Sequence, residues 1–256
     1  MALIVIDAGH GGSDGGAGGK YTNEKDNVLK VALRLKTLLE QAGHTVKLTR
    51  STDVYLTLSQ RAKLANQWRA DFFISLHNNS AKNKQASGFE TFIYNGQVSS
   101  KTIQFQKSVH KAILNELKIR DRGMKRANFA VLRETNMASC LIEYAFISND
   151  EDENLLMNKV EQMARSTAQG IVNYVGGKNI PTVSSNSPTQ DVIANNKGEN
   201  GMLITTSATL KKAYQAYLQK AIDKKIIQPK WLQDYNKGQL SISDAIHLDI
   251  LIRDNM

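Results

Sequence analysis

Short apolar runs alternate with longer segments of helical period through residues 1–176, and no other feature constrains the fold of this chain as tightly. Leu3 to Ile6 is continuously apolar, as expected of a strand buried on both faces. Val28 to Ala42 carries Leu29, Ala32, Leu33, Leu35, Leu39 and Ala42 at helical spacing, and Gly43 then stops it. Thr45–Thr49, Phe72–Leu76, Phe89–Tyr94, Asn128–Leu132 and Cys140–Glu143 read as further strands. Leu58–Trp68, Val98–Leu117 and Asn154–Val175 read as helices. Strands that alternate with helices predict an α/β fold, a mainly parallel sheet with helices on both faces.

The pattern then changes. Residues 177–202 hold Pro181, Pro188 and many Ser, Asn and Thr residues with little to bury, and predict a flexible linker. Residues 203–256 predict a small all-α domain. Ala208–Ile222 and Ser241–Arg253 are its helices, and Pro229-Lys230-Trp231 marks a break between them.

The hydrophobic fraction of 41% is ordinary, so a core can form without cross-links. A single cysteine, Cys140, excludes an intrachain disulfide and a Cys-rich metal site. It reads as a small core residue. Any metal must be held by histidine and carboxylate. No segment approaches the roughly 20 apolar residues of a membrane span, and Met1-Ala2 runs into the first strand without a basic n-region. The expectation is synthesis in the cytoplasm without a signal peptide. The net charge of +9 favours polyanionic partners. With no recognised binding motif, nucleic acid is not an expected partner.

Two histidines stand out. His10 follows the first strand in Asp7-Ala8-Gly9-His10-Gly11-Gly12, and His77 follows the third in Ser75-Leu76-His77-Asn78-Asn79-Ser80. Glu143 closes the last apolar run, and Glu24 opens the Val28 helix after a Gly-rich loop. In open α/β sheets, ligands gather outside the carboxyl ends of the strands. Two imidazoles and one carboxylate, His10, His77 and Glu24, suffice to hold a catalytic zinc with one position left for water. Glu143 would then serve as general acid and base, and Asn79 would orient a ligand or substrate. Plainer readings stand beside this one. A histidine at a strand end is often polar decoration, and Glu24 would suit a helix N-terminus by its charge alone. A carboxylate ending an apolar strand is harder to explain without a cleft. The Gly-rich loop lacks the spacing of a dinucleotide fingerprint and the Gly-Lys-Ser/Thr of a P-loop. His44, His110 and His247 read as surface or boundary residues.

Taken in order, Ile6–Gly12, Glu24–Leu35, Thr49–Asn66, Phe72–Ser80, Gly88–Tyr94, Asp121–Met137 and Ile142–Asn149 resemble the zinc-dependent N-acetylmuramoyl-L-alanine amidases of the family-3 type. The resemblance implies a six-stranded sheet, zinc ligands at His10, Glu24 and His77, and a catalytic Glu143. It implies hydrolysis of the amide between N-acetylmuramic acid and L-alanine, with peptidoglycan as substrate. It also implies a substrate-side loop over Arg122–Phe129. A member made without a signal would act on the wall after release, as phage endolysins and mother-cell autolysins do. The helical 203–256 segment would tether the enzyme to an anionic wall polymer or mediate dimerisation, with Tyr214, Tyr217, Trp231 and Tyr235 either meeting sugars or packing a core. The rival expectations are a zinc carboxypeptidase or endopeptidase acting within the stem peptide, and a non-catalytic wall-binding protein.

Overall fold

The computed structural model describes residues 1–180, 208–237 and Leu248. The expected linker beyond Ile180 and the expected Ser241–Arg253 helix, Leu248 apart, lie outside the described residues, as does His247. The chain divides into two compact units, Met1–Pro181 and Thr182–Met256.

In the first unit the strands are β1 (Leu3–Ala8), β2 (Thr45–Leu48), β3 (Phe72–Asn79), β4 (Phe89–Tyr94), β5 (Asp121–Ala127) and β6 (Ala138–Phe146). The helices are α1 (Glu24–Gln41), α2 (Leu58–Gln67), α3 (Ser100–Leu117), α4 (Ala130–Arg133), α5 (Asp150–Asn158) and α6 (Val160–Val175). The strands form one sheet in the order β2-β1-β3-β6-β4-β5. All neighbours run parallel except β4 and β6, which are antiparallel. The mainly parallel six-stranded sheet expected from the sequence is therefore present.

One face of the sheet buries Ile4, Ile6, Ile74, Leu76 and Ile142 against Leu35 and Leu39 of α1, Phe105 of α3 and Met163 of α6. The other buries Val5, Phe73 and Leu141 against Ala65 of α2 and Val131 and Leu132 of α4. Each large aliphatic side chain buried this way contributes roughly 1.5–3 kcal/mol. Adjacent strand residues point to opposite faces, so a continuously apolar run such as β1 needs both layers. The start of α2 is fixed by a reciprocal cap, in which the Thr57 side chain accepts from the Gln60 amide and the Gln60 side chain accepts from the Thr57 amide.

Several expected elements fall differently. Asn128–Leu132 is not a strand: β5 lies just before it, and Ala130–Arg133 is a helical turn. β5 is an edge strand of alternating exposure with few apolar residues, so it has no apolar run to betray it. Val131 and Leu132 reach the second core from the turn instead. The expected helix over Asn154–Val175 is two helices broken at Lys159, whose φ of −116° and ψ of 25° depart from helical values. His77 and Glu143 lie inside strands, because β3 runs on to Asn79 and β6 to Phe146. His44 and His110 are buried rather than at the surface. His44 Nε2 meets the Gly176 carbonyl at 2.8 Å, and the His110 ring bridges Thr91 and Asp121.

In the second unit, α7 (Ala208–Asp223) and α8 (Pro229–Asn236) enclose a small cluster of Tyr214, Leu218, Ala221, Ile227, Tyr235 and Leu248. Pro229 opens α8, where a missing amide costs nothing. Tyr214 and Tyr235 are core residues with ring centroids 4.9 Å apart. Tyr217 and Trp231 pack against them, partly exposed. Among the described residues, no helix is long and apolar enough to cross a membrane.

Candidate metal centre

The first strand delivers His10 through a tight backbone turn. His10, Gly11 and Gly12 all have positive φ, at 59°, 124° and 57°. Such a conformation costs a non-glycine residue energy and persists only where the surroundings enforce it. Two buried arginines do so here. The Arg61 guanidinium donates to the carbonyls of Ala8 and His10, both at 2.6 Å, and pairs with Asp7 at 2.9 Å. Arg50 donates to the carbonyls of Ala8 at 2.9 Å and Gly9 at 2.7 Å. Asp7 in turn accepts from the Thr49 and Ser75 hydroxyls. The backbone that carries His10 is thus clamped from the segment after β2 and from α2.

Glu24, the first residue of α1, reaches back to the strand ends and is 3% exposed. Its Oε1 lies 3.1 Å from His10 Nε2 and 2.9 Å from His77 Nδ1, and accepts the Asn78 amide at 2.9 Å. Its Oε2 accepts the Ala17 amide at 2.9 Å. The two imidazole rings stand 5.0 Å apart at 80°. One donor atom from each of His10, Glu24 and His77 lies within 4.8 Å of the others. The far nitrogen of His10, Nδ1, meets Asp14 Oδ2 at 2.9 Å. Close approach depends on two glycines. A Cβ on Gly9 would sit 2.3 Å from His77 Cε1, and one on Gly16 would sit 2.7 Å from Glu24 Oε2.

The charges are mutually dependent. Burial alone would raise the Glu24 carboxyl pKa, but the hydrogen bonds and charges of His10 and His77 outweigh it and hold it far below the usual range. Burial would likewise lower the His10 imidazole, yet Glu24 and Asp14 together hold it above its ordinary value. These three side chains therefore form a compact site with two nitrogen donors and one oxygen donor.

Glu143 stands beside this group. In the sheet register it is directly opposite His77 on one side and Glu90 on the other. Its Oε2 is buried and has no hydrogen-bond partner among the described residues. Burial, reinforced by the negative charges of Glu24 and Glu90, pushes its pKa well above the usual carboxylate range. Asn79, expected to orient a ligand or substrate, donates to Glu90 Oε1 at 2.6 Å. Cys140 is fully buried in the core, where burial raises its thiol pKa.

The structure thus brings all four sequence-predicted residues to one place. Sequence reading missed Asp14, Arg50, Arg61 and Glu90. Asp14 had a usable signal, lying four residues after His10 in the same loop. The arginines act on backbone carbonyls, which leave no trace in side-chain spacing.

The family model described as N-acetylmuramoyl-L-alanine amidase matches residues 4–173. The chain is 41% identical over 175 residues to the sporulation-specific N-acetylmuramoyl-L-alanine amidase of Bacillus subtilis (strain 168), covering 67% of each chain. It is 41% identical over 184 residues to the endolysin of Bacillus phage SPP1, covering 69% of this chain and 67% of that one. Among solved structures it is similar to the catalytic domain of CwlV, an N-acetylmuramoyl-L-alanine amidase from Bacillus (Paenibacillus) polymyxa var. colistinus. That likeness has a TM-score of 0.66 and 36% identity over 70% of this chain and 100% of the other. A match of this extent, lying on the unit that holds the site, shows that the chain belongs to the N-acetylmuramoyl-L-alanine amidase family.

Proposed function

We propose that this protein is a zinc-dependent peptidoglycan amidase that hydrolyses the bond between the lactyl group of N-acetylmuramic acid and the L-alanine of the stem peptide. His10, Glu24 and His77 would hold the cation, and Glu143 would act as general acid and base. The observation that carries this reading is the convergence of three donor atoms within 4.8 Å beside a buried carboxylate oxygen that has no partner.

The residues fit zinc. Two imidazole nitrogens and one carboxylate oxygen are the ligand types zinc takes at catalytic sites, with a position left open. The contact of His10 Nδ1 with Asp14 favours the tautomer whose Nε2 lone pair faces the site. When bound, zinc polarises an amide carbonyl and lowers the pKa of a water at the open position.

The chain's own residues do the rest. Glu143 Oε2 takes a proton from the attacking water as its oxygen bonds to the carbonyl carbon. Glu143 then delivers that proton to the alanine nitrogen as the carbon–nitrogen bond breaks, leaving a free peptide amine and a muramoyl carboxylic acid that gives up its remaining proton to solvent. The unpartnered Oε2 leaves Glu143 free to accept this proton and to return it. The Arg50 and Arg61 clamp fixes the His10 loop, so the donors need little reorganisation.

The C-terminal segment, residues 203–256, is read as a tether to the wall, which raises local substrate concentration without altering the chemistry. Action on the wall after release from the cytoplasm belongs to the same reading.

Mass spectrometry of purified wall digested with and without a chelator tests the proposal. The expected products are free stem peptides and glycan without peptide, formed only in the absence of chelator. Fragments cut within the stem peptide would assign the protein to the peptidases instead.

A further inference from the structure

Resting on the amidase reading, we infer that Arg122 and Lys125 form a carboxylate subsite for the stem peptide, on the leaving-group side of the cut bond. The subsite sets which way round the substrate lies.

The placement follows from the sheet. His77, Glu143 and Glu90 are register partners on the adjacent strands β3, β6 and β4, so they share one face in a row. β5 lies next beyond β4, with an irregular register beside Glu90 and with Lys125 opposite Phe92. Glu90 is buried, and its carboxylate accepts from Asn79 at 2.6 Å, from Arg122 Nε at 3.0 Å and from Lys125 Nζ. Arg122 is braced further by the Ser87 carbonyl at 3.3 Å and by the Phe146 ring at 4.6 Å. Two cations therefore converge on one carboxylate. Neutralising Glu90 takes one of them, and a positive charge is left over. The Lys125 side chain is 39% exposed, so its ammonium is anchored by Glu90 and still reaches solvent. Lys125 has three donors and Arg122 five, more than these contacts use.

The distances suit a peptide. Neighbouring strands are about 4.8 Å apart, which puts the Glu90-bound cations one to two spacings, roughly 5–10 Å, from Glu143. Two extended residues span about 7 Å. A carboxylate on the second residue of the stem peptide therefore falls among them when the alanine nitrogen is beside Glu143. The opposite end of the site differs in character. A cavity next to His10 and His77 is walled by Tyr55, Leu56, Leu58 and Asp14, whose carboxylate is engaged by His10 Nδ1. Arg61 also lines it, but its guanidinium is engaged by Asp7 and by backbone carbonyls. An uncharged sugar suits this end, and an anionic peptide suits the other.

Two synthetic muramoyl peptides test the subsite, identical except that the second residue carries a free carboxylate in one and a carboxamide in the other. KM and kcat are measured for each, with mass spectrometry identifying the bond cut. The expected result is a KM about tenfold lower for the carboxylate substrate, the size of a charge-assisted contact. The preference should shrink as salt is raised. Lys125→Gln should bring the ratio of the two KM values towards one, and Lys125→Arg should retain the preference. Equal KM for the two substrates with the unmodified protein overturns the subsite, as does a Lys125→Gln protein that keeps the tenfold preference. If neither substrate is cut at the muramoyl–alanine bond, the amidase reading falls and the subsite falls with it.

Discussion

Glu143 faces His77 directly across the parallel β3–β6 pair, and its Oε2 is the buried oxygen there with no hydrogen-bond partner among the described residues. A protein built only for stability would not leave a carboxylate so. Burial and the charges of Glu24 and Glu90 raise its pKa. A carboxyl whose folded pKa lies above its unfolded value destabilises the fold as pH rises from the unfolded value through the folded one. Glu143→Gln should therefore raise the thermal midpoint of the metal-free protein near neutral pH while leaving zinc binding in place. Cleavage should fall by about 10²–10⁴. Calorimetry, metal analysis and a wall-digestion assay check the three parts. Near-normal cleavage by this variant would remove Glu143 from the mechanism.

Acid should release the cation. Against burial, Glu24 and Asp14 hold the His10 imidazole above its ordinary pKa in the metal-free protein. Below that raised value Nε2 carries a proton and has no lone pair to offer. Zinc affinity should accordingly decline on acidification from a pH higher than an ordinary histidine would give, by up to about tenfold per pH unit and per proton displaced. The metal-free protein behaves oppositely with respect to His10. That group's stabilisation is fully present below its unfolded pKa and is lost as pH rises through the folded one. Asp14→Asn should lower the pH at which zinc affinity begins to decline, while costing roughly 10–100-fold in affinity above that pH. A competitive zinc titration across pH, run on both proteins, reads both effects. Identical release curves would show that Asp14 does not act through His10.

Arg61 should matter as much to the site as the residues that line it. It is 2% exposed, pairs with the wholly buried Asp7 and holds the Ala8 and His10 carbonyls. Arg61→Met would strand the Asp7 carboxylate with only the Thr49 and Ser75 hydroxyls, and breaking a buried pair in this way costs about 3–5 kcal/mol. Arg61→Lys should recover only part of this, because an ammonium cannot span the carboxylate and two carbonyls as the guanidinium fork does. Denaturant midpoints measure the loss, and zinc affinity should fall with them.

The four residues of the site were legible because each sits where an apolar run stops or a helix starts, and the parallel sheet gathers those points on one edge. His10 and Glu24 mark a strand exit and a helix entrance. His77 and Glu143 come one residue after Leu76 and Ile142, each the first position of its strand that is not buried. What supports them was not legible. Two of the partners of Arg61, the Ala8 and His10 carbonyls, are main-chain oxygens more than 50 positions away. Glu90 looks like an ordinary polar residue of a half-buried strand until β5 brings Arg122 and Lys125 to it. β5 itself hid because an edge strand needs no apolar run. The Lys159 break hid because the apolar period continues across it, from Leu155 and Leu156 to Val160 and Met163.

The loop that leads into Glu24 supplies the last prediction. Glu153, at 1% exposure, accepts the backbone amides of Lys20 at 2.9 Å, Tyr21 at 2.7 Å and Thr22 at 2.9 Å, and the Thr22 hydroxyl at 3.2 Å. A fully buried carboxylate from α5 thus occupies a nest of amides two to four residues before Glu24. Gly19 lets it in, since a Cβ there would lie 2.2 Å from Glu153 Oε1. Glu153→Ala leaves these donors without a partner, at a cost on the order of 3 kcal/mol. The consequence should extend beyond stability. Glu24 keeps its aim only while the turn before it is pinned, so zinc affinity should drop although no donor atom has changed. Glu153→Gln separates the two causes. It keeps the side chain's shape but offers one acceptor oxygen and an NH2 group that opposes the remaining amides, so it should behave more like the alanine variant than like the parent. Hydrogen exchange at Lys20, Tyr21 and Thr22 reports the pinning directly. Unchanged exchange there, together with unchanged zinc affinity, would show that the loop holds its course without Glu153.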